Sequence, residues 1–462
     1  MAEQNGKDHT AQQKPRRIPQ AQLPAGGPRS HVAAMRQDMI RYIEALADQG
    51  PLLRIPLLGP LSAYFVNDAD LVRDVLVRQA NAFHKPGNVK RAARDLKIEN
   101  IFTADDALWQ ALRKVEQPAF HAARIARYAA LMQEETERMI AAWRPGDRLD
   151  TPAAMADVTL AIVTRALFGK DMRDAAASAA IVRFIELFYQ RISGISLPGW
   201  LPTRANREAR EQLATIEAWL APLIADRRAA PDPAAYDDVL GLLIAAQRVD
   251  DSGLLTDHQV RTEVMNLFVA GYEVVAHTLA FTLYLVATHD LVASGIQREL
   301  DEVAAAGPLS PTRIAQLSYL DQVLKESMRL LPVTTVLTRE TVRPVTLGGY
   351  RLPARRMVLF SPWGLQRSAR YFSDPLLFRP ARFHAESGDD FHRYAYLPFS
   401  AGPRVCLGSS FAMLQMKITL AVIWRRFSFS HPDDHRFALA YSFNTRPRNG
   451  LPLLVSLRDN GR

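Results

Sequence analysis

The chain has only one cysteine, Cys406, among its 462 residues. A single cysteine excludes disulfides within the chain, and no cluster of cysteine and histidine shows the spacing of a zinc site. We therefore expect a cytoplasmic protein that is stabilised by a packed core. Hydrophobic residues make up 48% of the chain, which is enough to form such a core.

The N-terminal residues 1–28 lack the apolar run of a signal peptide and are rich in polar residues, proline and glycine. This composition predicts a disordered arm, followed by a single domain over residues 29–462. Further along, the apolar stretch LFVAGYEVVAHTLAFTLYLVA has the length of a membrane span. Glu273 lies at its centre and would cost about 2.5–3.5 kcal/mol in a bilayer, so we predict a buried helix and no membrane span.

Acidic residues are fewer than basic ones, 48 against 57, and the net charge is +9. The basic residues are scattered along the chain and form no long cluster, so we predict no binding to nucleic acid. An acidic partner protein fits this balance better, and solvation of an ordinary surface is the alternative.

Apolar residues recur at helical spacing through most of the chain, whereas strand patterns are short and few. The glycine pair in TVRPVTLGGYRLP predicts a hairpin turned at Gly348 and Gly349. Helices are predicted, among others, over residues 176–193, 204–228, 236–247, 291–305, 312–330 and 408–426. The fold class is therefore mainly α with small β-sheets near both ends of the chain (α+β).

The single cysteine lies in the stretch FSAGPRVCLG, just before a helical pattern. A helix N-terminus favours a thiolate at Cys406, and Arg404 adds positive charge. Phe399 can keep water away from the sulfur, and Gly408 leaves room for a flat group. Haem needs a single protein ligand because the porphyrin supplies four nitrogens, so these residues indicate a haem site.

This stretch resembles the haem-binding loop of the cytochrome P-450 family, F-x-x-G-x-R-x-C-x-G, and meets every specified position. The resemblance implies a fold in which a long central helix crosses one face of haem b, while the thiolate of Cys406 ligates the iron from the opposite face. It implies a monooxygenase that is similar to soluble bacterial members of the family.

Two further motifs resemble those of the family. Glu326 and Arg329 match its E-x-x-R, and Arg382 in FRPARF would complete a structural interaction with them, although a surface ion pair is the alternative. Arginines and an indole are expected at the haem propionates. By resemblance these donors are Trp109, Arg113, Arg339 and Arg404.

The central helix departs from the family at one position. AGYEVV resembles the oxygen-pocket pattern [AG]-G-x-[DE]-T, with Gly271 and Glu273 in place and Val274 where the threonine is expected. The resemblance implies that Gly271 admits a flat ligand and that Glu273 relays protons into the pocket. An acid tied to neighbouring groups is the alternative. Valine has no hydroxyl, and Thr278 lies a full turn, about 5.4 Å, further along.

Three functions are compatible with this departure. The first is a monooxygenase whose protons come through water and Glu273, or from a hydroxyl of the substrate. The second is an isomerase, a dehydratase or a peroxide-using enzyme, and the third is a haem protein that binds or senses without turnover. The intact set of propionate contacts and the retained Glu273 favour the first.

No flavin or iron–sulfur module is recognisable in the chain, so we expect electrons from a separate acidic ferredoxin or flavodoxin with its reductase. By resemblance, residues 84–105 and 181–202 form the roof of the substrate pocket. Their apolar side chains predict an apolar small molecule of terpenoid, polyketide or fatty acyl type.

Overall fold

A computed structural model describes residues 16–23, 30–57, 61–170, 174–193, 197–236, 238–305, 307, 310, 313–314, 316–387, 389–441 and 444–458. The helices are α1 (His31–Gln37), α2 (Met39–Leu46), α3 (Ala69–Arg73), α4 (Gly87–Leu96), α5 (Asp106–Glu116), α6 (Ala122–Arg127), α7 (Ala129–Ile140), α8 (Thr151–Phe168), α9 (Ala175–Ser193), α10 (Arg204–Ala229), α11 (Val239–Arg248), α12 (Asp257–Ala287), α13 (Asp290–Ala305), α14 (Ser318–Leu330), α15 (Pro362–Gln366) and α16 (Ser409–Trp424). The strands are β1 (Leu52–Pro56), β2 (Ser62–Val66), β3 (Phe83–His84), β4 (Arg148–Asp150), β5 (Leu337–Thr341), β6 (Val345–Leu347), β7 (Tyr350–Leu352), β8 (Met357–Phe360), β9 (Phe427–Ser430), β10 (Leu439–Tyr441), β11 (Thr445–Pro447) and β12 (Pro452–Leu457).

The long apolar stretch forms α12, which runs through the middle of the molecule. The helix begins where the hydroxyl of Thr256 accepts the backbone N–H of Gln259, and it ends at Thr288. It packs against α8, α14 and α16. By length and composition, α8 and α12 could each cross a membrane, but 67% and 56% of their most apolar windows are buried by the rest of the chain. Both helices therefore pack as core helices.

Two hydrophobic clusters form most of the core. The larger one joins α12 to α7, α14 and α16, and the second joins α8, α9, α10 and α11 to the N-terminal half of α12. Because α12 contributes to both, its apolar residues face more than one side, as expected for a helix inside a domain. The cavity described below lies where the two clusters meet.

The sheets are small, as predicted. The largest has the strand order β1-β2-β8-β5-β3, and the others are β4-β12-β9, β6-β7 and β10-β11. The β6-β7 hairpin turns at Gly348 and Gly349, whose φ values of +53° and +84° lie in the left-handed region. Strand β5 was not predicted, because LTRET alternates too weakly to distinguish a strand from a loop.

Part of the predicted N-terminal arm is attached to this largest sheet. Ala21 donates its backbone N–H to the carbonyl of Arg54 at 2.9 Å, and Arg54 donates to the carbonyl of Pro19 at 2.8 Å. The side chain of Ala21 is buried. Residues 16–23 are therefore held by backbone hydrogen bonds and are not a free arm, whereas residues 1–15 and 24–29 lie outside the described residues.

The helix bounds differ from the predicted ones mainly at N-termini. The helix expected over residues 236–247 begins at Val239, because the carboxylate of Asp238 caps the N–H of Gly241 at 2.7 Å. The helix expected over residues 312–330 is described as α14 from Ser318 onward, while residues 311, 312 and 315 lie outside the described part of the chain.

Candidate functional site

A cavity of about 460 Å³ lies beneath α12. Its walls come from α5, α8, α9 and α12, from β5 and from the loop that precedes α16. The residues that the sequence predicted for the haem and the oxygen pocket all line this one cavity: Trp109, Arg113, Gly271, Glu273, Val274, Arg339, Phe399, Arg404, Cys406 and Gly408. Residues far apart in the sequence thus meet at one place.

The loop before α16 presents the cysteine to the cavity. Cys406 donates its backbone N–H to the carbonyl of Phe399 at 2.9 Å, which closes the loop three residues before the helix begins. The thiol is enclosed by the protein but exposed to the cavity. Burial raises the pKa of the Cys406 thiol, while the N–H of Gly408 and the charge of Arg113 oppose that rise. The sulfur is therefore placed as a ligand for a group inside the cavity.

A glycine in this loop is required by both conformation and space. Gly402 has φ +73°, and a Cβ there would overlap the carbonyl oxygen of Leu76 and lie 2.9 Å from its carbonyl carbon. We therefore expect Gly402→Ala to displace the loop and to lower the haem content of the purified protein at least about fivefold, because backbone overlap cannot be relieved by a rotamer change. The ratio of haem to protein absorbance measures this.

The matched control is Gly450→Ala. Gly450 also has φ +73°, but a Cβ there meets nothing within 4 Å. It carries the same backbone strain without the overlap, and so should keep its haem. Equal haem contents in the two variants would contradict the role assigned to close packing at Gly402.

A cluster of cations lines the same cavity. Arg113 donates to the carbonyl of Val405 at 2.9 Å, Arg404 pairs with Asp105, and the guanidinium of Arg404 lies 4.7 Å from the ring centroid of Trp109. Arg339 is buried, and burial together with the charge of Arg404 lowers its pKa to about 10. Positive charge is thus concentrated on one wall of the cavity.

Lys85 belongs to this cluster and was not singled out from the sequence. Its ammonium lies 4.0 Å from the ring centroid of Phe102. Burial, Arg339 and Arg404 lower its pKa well below the usual value. No motif marks Lys85, because FHKPG resembles any strand end followed by a turn. Only the pairing of β3 with β5 brings it beside the arginines.

This cluster fits the haem that the cysteine loop implies. In the described part of the chain, Asp105 forms an ion pair with Arg404, and Lys90 also contacts Asp105 at 2.6 Å. Buried cations require nearby anions, and two haem propionates would provide them. Arg113, Arg339, Arg404 and Lys85 would hold the propionates, and Cys406 the iron.

The Glu326, Arg329 and Arg382 side chains meet outside the cavity and are buried. Nε of Arg329 donates to Oε2 of Glu326 at 2.6 Å, and Nε of Arg382 donates to Oε1 at 3.0 Å. Nη2 of Arg329 also donates to Oε1 of Glu326 at 2.9 Å, and further N–H groups of both guanidiniums bind backbone carbonyls in the segment 366–377. The alternative of an exposed ion pair is therefore wrong.

Gln366 links these residues to the cysteine loop. Its Nε2 donates to the carbonyl of Met328 at 2.9 Å, and its Oε1 accepts the backbone N–H of Leu397 at 2.9 Å. Gln366 is completely buried. A glutamine at the end of a short helix gives no signal in the sequence, so this contact was not predicted.

The central helix forms the opposite wall. A Cβ at Gly271 would lie 3.1 Å from Cγ2 of Val163, so the glycine allows α12 and α8 to approach closely. The hydroxyl of Thr278 donates to the carbonyl of Val274 at 2.8 Å and is therefore occupied within the helix. The helix face that carries Gly271, Val274 and Thr278 thus offers the cavity no free hydroxyl proton.

Glu273 also lines the cavity, where Asn444 binds it. Nδ2 of Asn444 donates to Oε2 of Glu273 at 3.2 Å. Burial raises the pKa of Glu273, while Asn444 and the charge of Arg446 oppose the rise. The sequence suggested either a proton carrier or an acid tied to its neighbours. Within the described residues this carboxyl accepts a hydrogen bond from Asn444, and its raised pKa leaves it able to hold a proton.

Two carboxyl groups, one on α5 and one on α12, lie close together. Glu116, which lines the cavity, and Glu263 are both buried, and Oε1 of Glu263 accepts the backbone N–H of Ile101 at 2.7 Å. Burial raises the pKa of Glu116 to about 7, although its hydrogen bond to Glu263 and the charge of Arg113 oppose the rise. Burial, together with the charge and the hydrogen bond of Glu116, raises the pKa of Glu263 well above its usual value. The pair is expected to share a proton.

This pair predicts a stability that depends on pH. The folded protein retains a proton that the unfolded chain releases above its ordinary pKa of 4.5, so the pair stabilises at low pH and this contribution is lost as pH rises through about 7. We expect Tm of the wild type to fall by about 1.5 °C more than that of Glu116→Gln between pH 6 and pH 8. Calorimetry of both holoproteins measures the difference. If the Tm values of the wild type and of Glu116→Gln changed equally with pH, the shared proton would be contradicted. Glu134→Gln, at an exposed position on α7, is the control.

Comparisons with known proteins agree with this geometry. A family model described as cytochrome P-450 matches residues 27–448. The chain is 33% identical over 410 residues to cyclooctatin synthase of Streptomyces melanosporofaciens, which covers 87% of this chain and 88% of that protein. It is 28% identical over 422 residues to pentalenene oxygenase of Streptomyces avermitilis, with coverage of 90% and 93%.

A solved structure shows the same fold. The crystal structure of the cytochrome P450DA heme domain superposes with a TM-score of 0.84 at 23% identity, over 96% of this chain and 99% of that one. The mainly helical α+β prediction is confirmed. With a family match over most of its length and one cysteine to ligate the haem iron, the chain belongs to the cytochrome P-450 family of haem-thiolate monooxygenases.

Proposed function

We propose that this monooxygenase oxidises a terpenoid-type molecule, with electrons from a separate acidic ferredoxin or flavodoxin and its reductase in the cytoplasm. The observation that carries the proposal is one cavity in which Cys406 and the cation cluster lie opposite Glu273, between largely apolar walls. Of the three apolar classes considered from the sequence, the relatives named cyclooctatin synthase and pentalenene oxygenase favour terpenoids.

Each wall has a separate task. When bound, the haem supplies the activation of dioxygen for insertion of one oxygen atom into the substrate. Cys406 would ligate the iron, and Arg113, Arg339, Arg404 and Lys85 would hold the propionates. Phe184 and Phe188 on α9, with Ile101 and Phe102 in the segment before α5, orient an apolar substrate and exclude water.

Glu273 is the proton carrier in this proposal. Its pKa is raised by burial, so the carboxyl holds a proton more readily than an exposed glutamate does and can pass it on. Val274 has no hydroxyl, and the Thr278 hydroxyl is bound to the carbonyl of Val274. Water or a substrate hydroxyl must therefore continue the path from Glu273.

Replacing Glu273 by glutamine should slow product formation by about 10- to 100-fold and increase the share of electrons that end in hydrogen peroxide. The amide keeps the size and the bond to Asn444 but cannot release a proton. NADH consumption, product and peroxide are measured together. An unchanged ratio of product to peroxide would show that Glu273 does not deliver protons.

Replacing Val274 by threonine adds a hydroxyl beside Glu273. The share of electrons that end in product should then equal or exceed that of the wild type.

The overall function is tested with the holoprotein, a ferredoxin, its reductase, NADH and a panel of terpenes. The expected result is a product that has gained one oxygen atom and that requires both NADH and dioxygen. Turnover that requires neither would instead favour an isomerase or dehydratase. Because the net charge of +9 favours an acidic partner, the rate with ferredoxin should fall as ionic strength rises.

A further inference from the structure

A polar group that includes Glu273 lines the cavity. The same cavity has many apolar side chains, such as Ile101, Phe102, Phe184, Phe188, Val269 and Leu337. The group consists of Glu273 on α12, Asn444 at the start of β11 and Thr334 in the segment before β5, and all three line the cavity. We call it the Glu273–Asn444 subsite.

The subsite is held in one orientation. The hydroxyl of Thr334 donates to Oδ1 of Asn444 at 3.2 Å, and Nδ2 of Asn444 donates to Oε2 of Glu273 at 3.2 Å. These two hydrogen bonds fix the orientation of the Asn444 amide, so that its NH2 group faces the Glu273 carboxyl. Thr445 anchors the segment, because its backbone N–H binds the carbonyl of Val333 at 2.8 Å and its hydroxyl binds that of Pro332 at 2.7 Å.

The hydrogen bonds within the subsite leave polar atoms of Glu273 and Asn444 available to a ligand. Among the described residues they use Oε2 of Glu273 and one N–H of Asn444. Asn444 is 3% exposed, and a buried amide is stabilised when both of its N–H groups find acceptors. The subsite can therefore offer an N–H donor and a carboxyl oxygen to the same small group.

We propose that the substrate is an apolar alcohol whose hydroxyl binds between Glu273 and Asn444. This inference rests on the proposed function, because it concerns the ligand of the same cavity. A hydroxyl can accept from Nδ2 of Asn444 and donate to Glu273 at once. A carboxylate would be repelled by Glu273, and a hydrocarbon would offer no hydrogen bond to either group. An ammonium would meet the N–H of Asn444 and the nearby charge of Arg446.

The absence of a hydroxyl at Val274 agrees with this ligand. A substrate hydroxyl beside Glu273 would give the carboxyl a partner for proton exchange that the helix itself does not provide. The substrate would then arise from an earlier step that places oxygen on the skeleton, such as a hydroxylation or a cyclisation that ends with the capture of water.

Three ligands with one carbon skeleton test the proposal: cedrane, the alcohol cedrol, and cedryl methyl ether, which accepts a hydrogen bond but cannot donate one. Spin-shift titrations of the holoprotein give Kd for each. We expect cedrol to bind about 10-fold more tightly than cedrane, with the ether between them, since each hydrogen bond contributes a factor of a few. Equal Kd values for cedrol and cedrane would overturn the alcohol subsite but not the proposed function. Failure of all three to bind would count against both.

Variants locate the effect. Asn444→Leu should reduce the preference for cedrol over cedrane to less than about threefold, with little change in Kd for cedrane. Thr334→Val removes the hydrogen bond that orients the Asn444 amide and should partly reduce the preference for cedrol over cedrane. This variant tests the subsite independently if Asn444→Leu folds poorly. Thr278→Val is the matched control, because it removes a cavity hydroxyl that is already bound to the carbonyl of Val274. A preference that survives in both Asn444→Leu and Thr334→Val would contradict the subsite.

Discussion

Replacing Cys406 by serine is expected to abolish monooxygenase turnover, with a loss of at least about a thousandfold, which corresponds to about 4 kcal/mol. A serine hydroxyl is almost the same size as a thiol but is neutral at physiological pH and a weak ligand for iron. The cavity and the cation cluster do not depend on the sulfur, so haem can still be retained. The reduced, carbon-monoxide-bound spectrum should therefore lose the signature of thiolate ligation while the protein stays folded.

Ser410→Ala is the control for this experiment, because Ser410 is exposed in the first turn of α16. It should leave both the spectrum and the turnover unchanged. An unaltered spectrum in Cys406→Ser would mean that the iron has another ligand. The assignment of haem-thiolate chemistry to this chain would then fail, since it contains no second cysteine.

The second large effect is expected at Glu326. Replacing it by alanine would leave Arg329 and Arg382 buried without their shared carboxylate. Removal of one partner from a buried ion pair costs about 3–5 kcal/mol, a large part of the stability of a typical domain. We expect Tm to fall by about 3–5 °C and the haem-bound fraction to fall with it, because the same arginines bind the carbonyls that lead into the cysteine loop.

Melting curves followed by far-UV circular dichroism and by haem absorbance measure this change. Asp321→Ala on the same helix is the control: Asp321 is partly exposed and pairs with Lys325 at 2.7 Å and with Lys417 at 3.7 Å, so its loss should cost about 1 kcal/mol. Glu326→Gln keeps the shape and should lie between the wild type and Glu326→Ala. Similar Tm values for Glu326→Ala and Asp321→Ala would contradict a structural role for the buried ion pairs.

Much of the site was accessible from the sequence because its parts lie in short segments. The loop FSAGPRVCLG carries the ligand, the turn glycine and one arginine within ten positions. Trp109 and Arg113 lie one helical turn apart, so a pattern can identify both. Such segments keep their local geometry wherever they are placed, which makes their spacing informative.

Other residues could not be assigned in this way, because their surroundings come from distant parts of the chain. Lys85 becomes a cavity cation only through the pairing of β3 with β5. Glu116 and Glu263 are ordinary helix residues until α5 and α12 bring their carboxyls together. The role of Asn444 was also hidden in the sequence, since its hydrogen bond to Glu273 joins residues 171 positions apart.

The sequence by itself determined the family, the haem ligand, the mainly helical fold and the departure at Val274, because each depends on residue type at fixed local spacing. The tertiary structure alone decided that Gly271 lies against Val163, that the Thr278 hydroxyl is occupied, and that Glu273 shares a subsite with Asn444. The reason is physical: burial and hydrogen bonding of a side chain depend on which segments pack around it, and packing is a property of the folded chain.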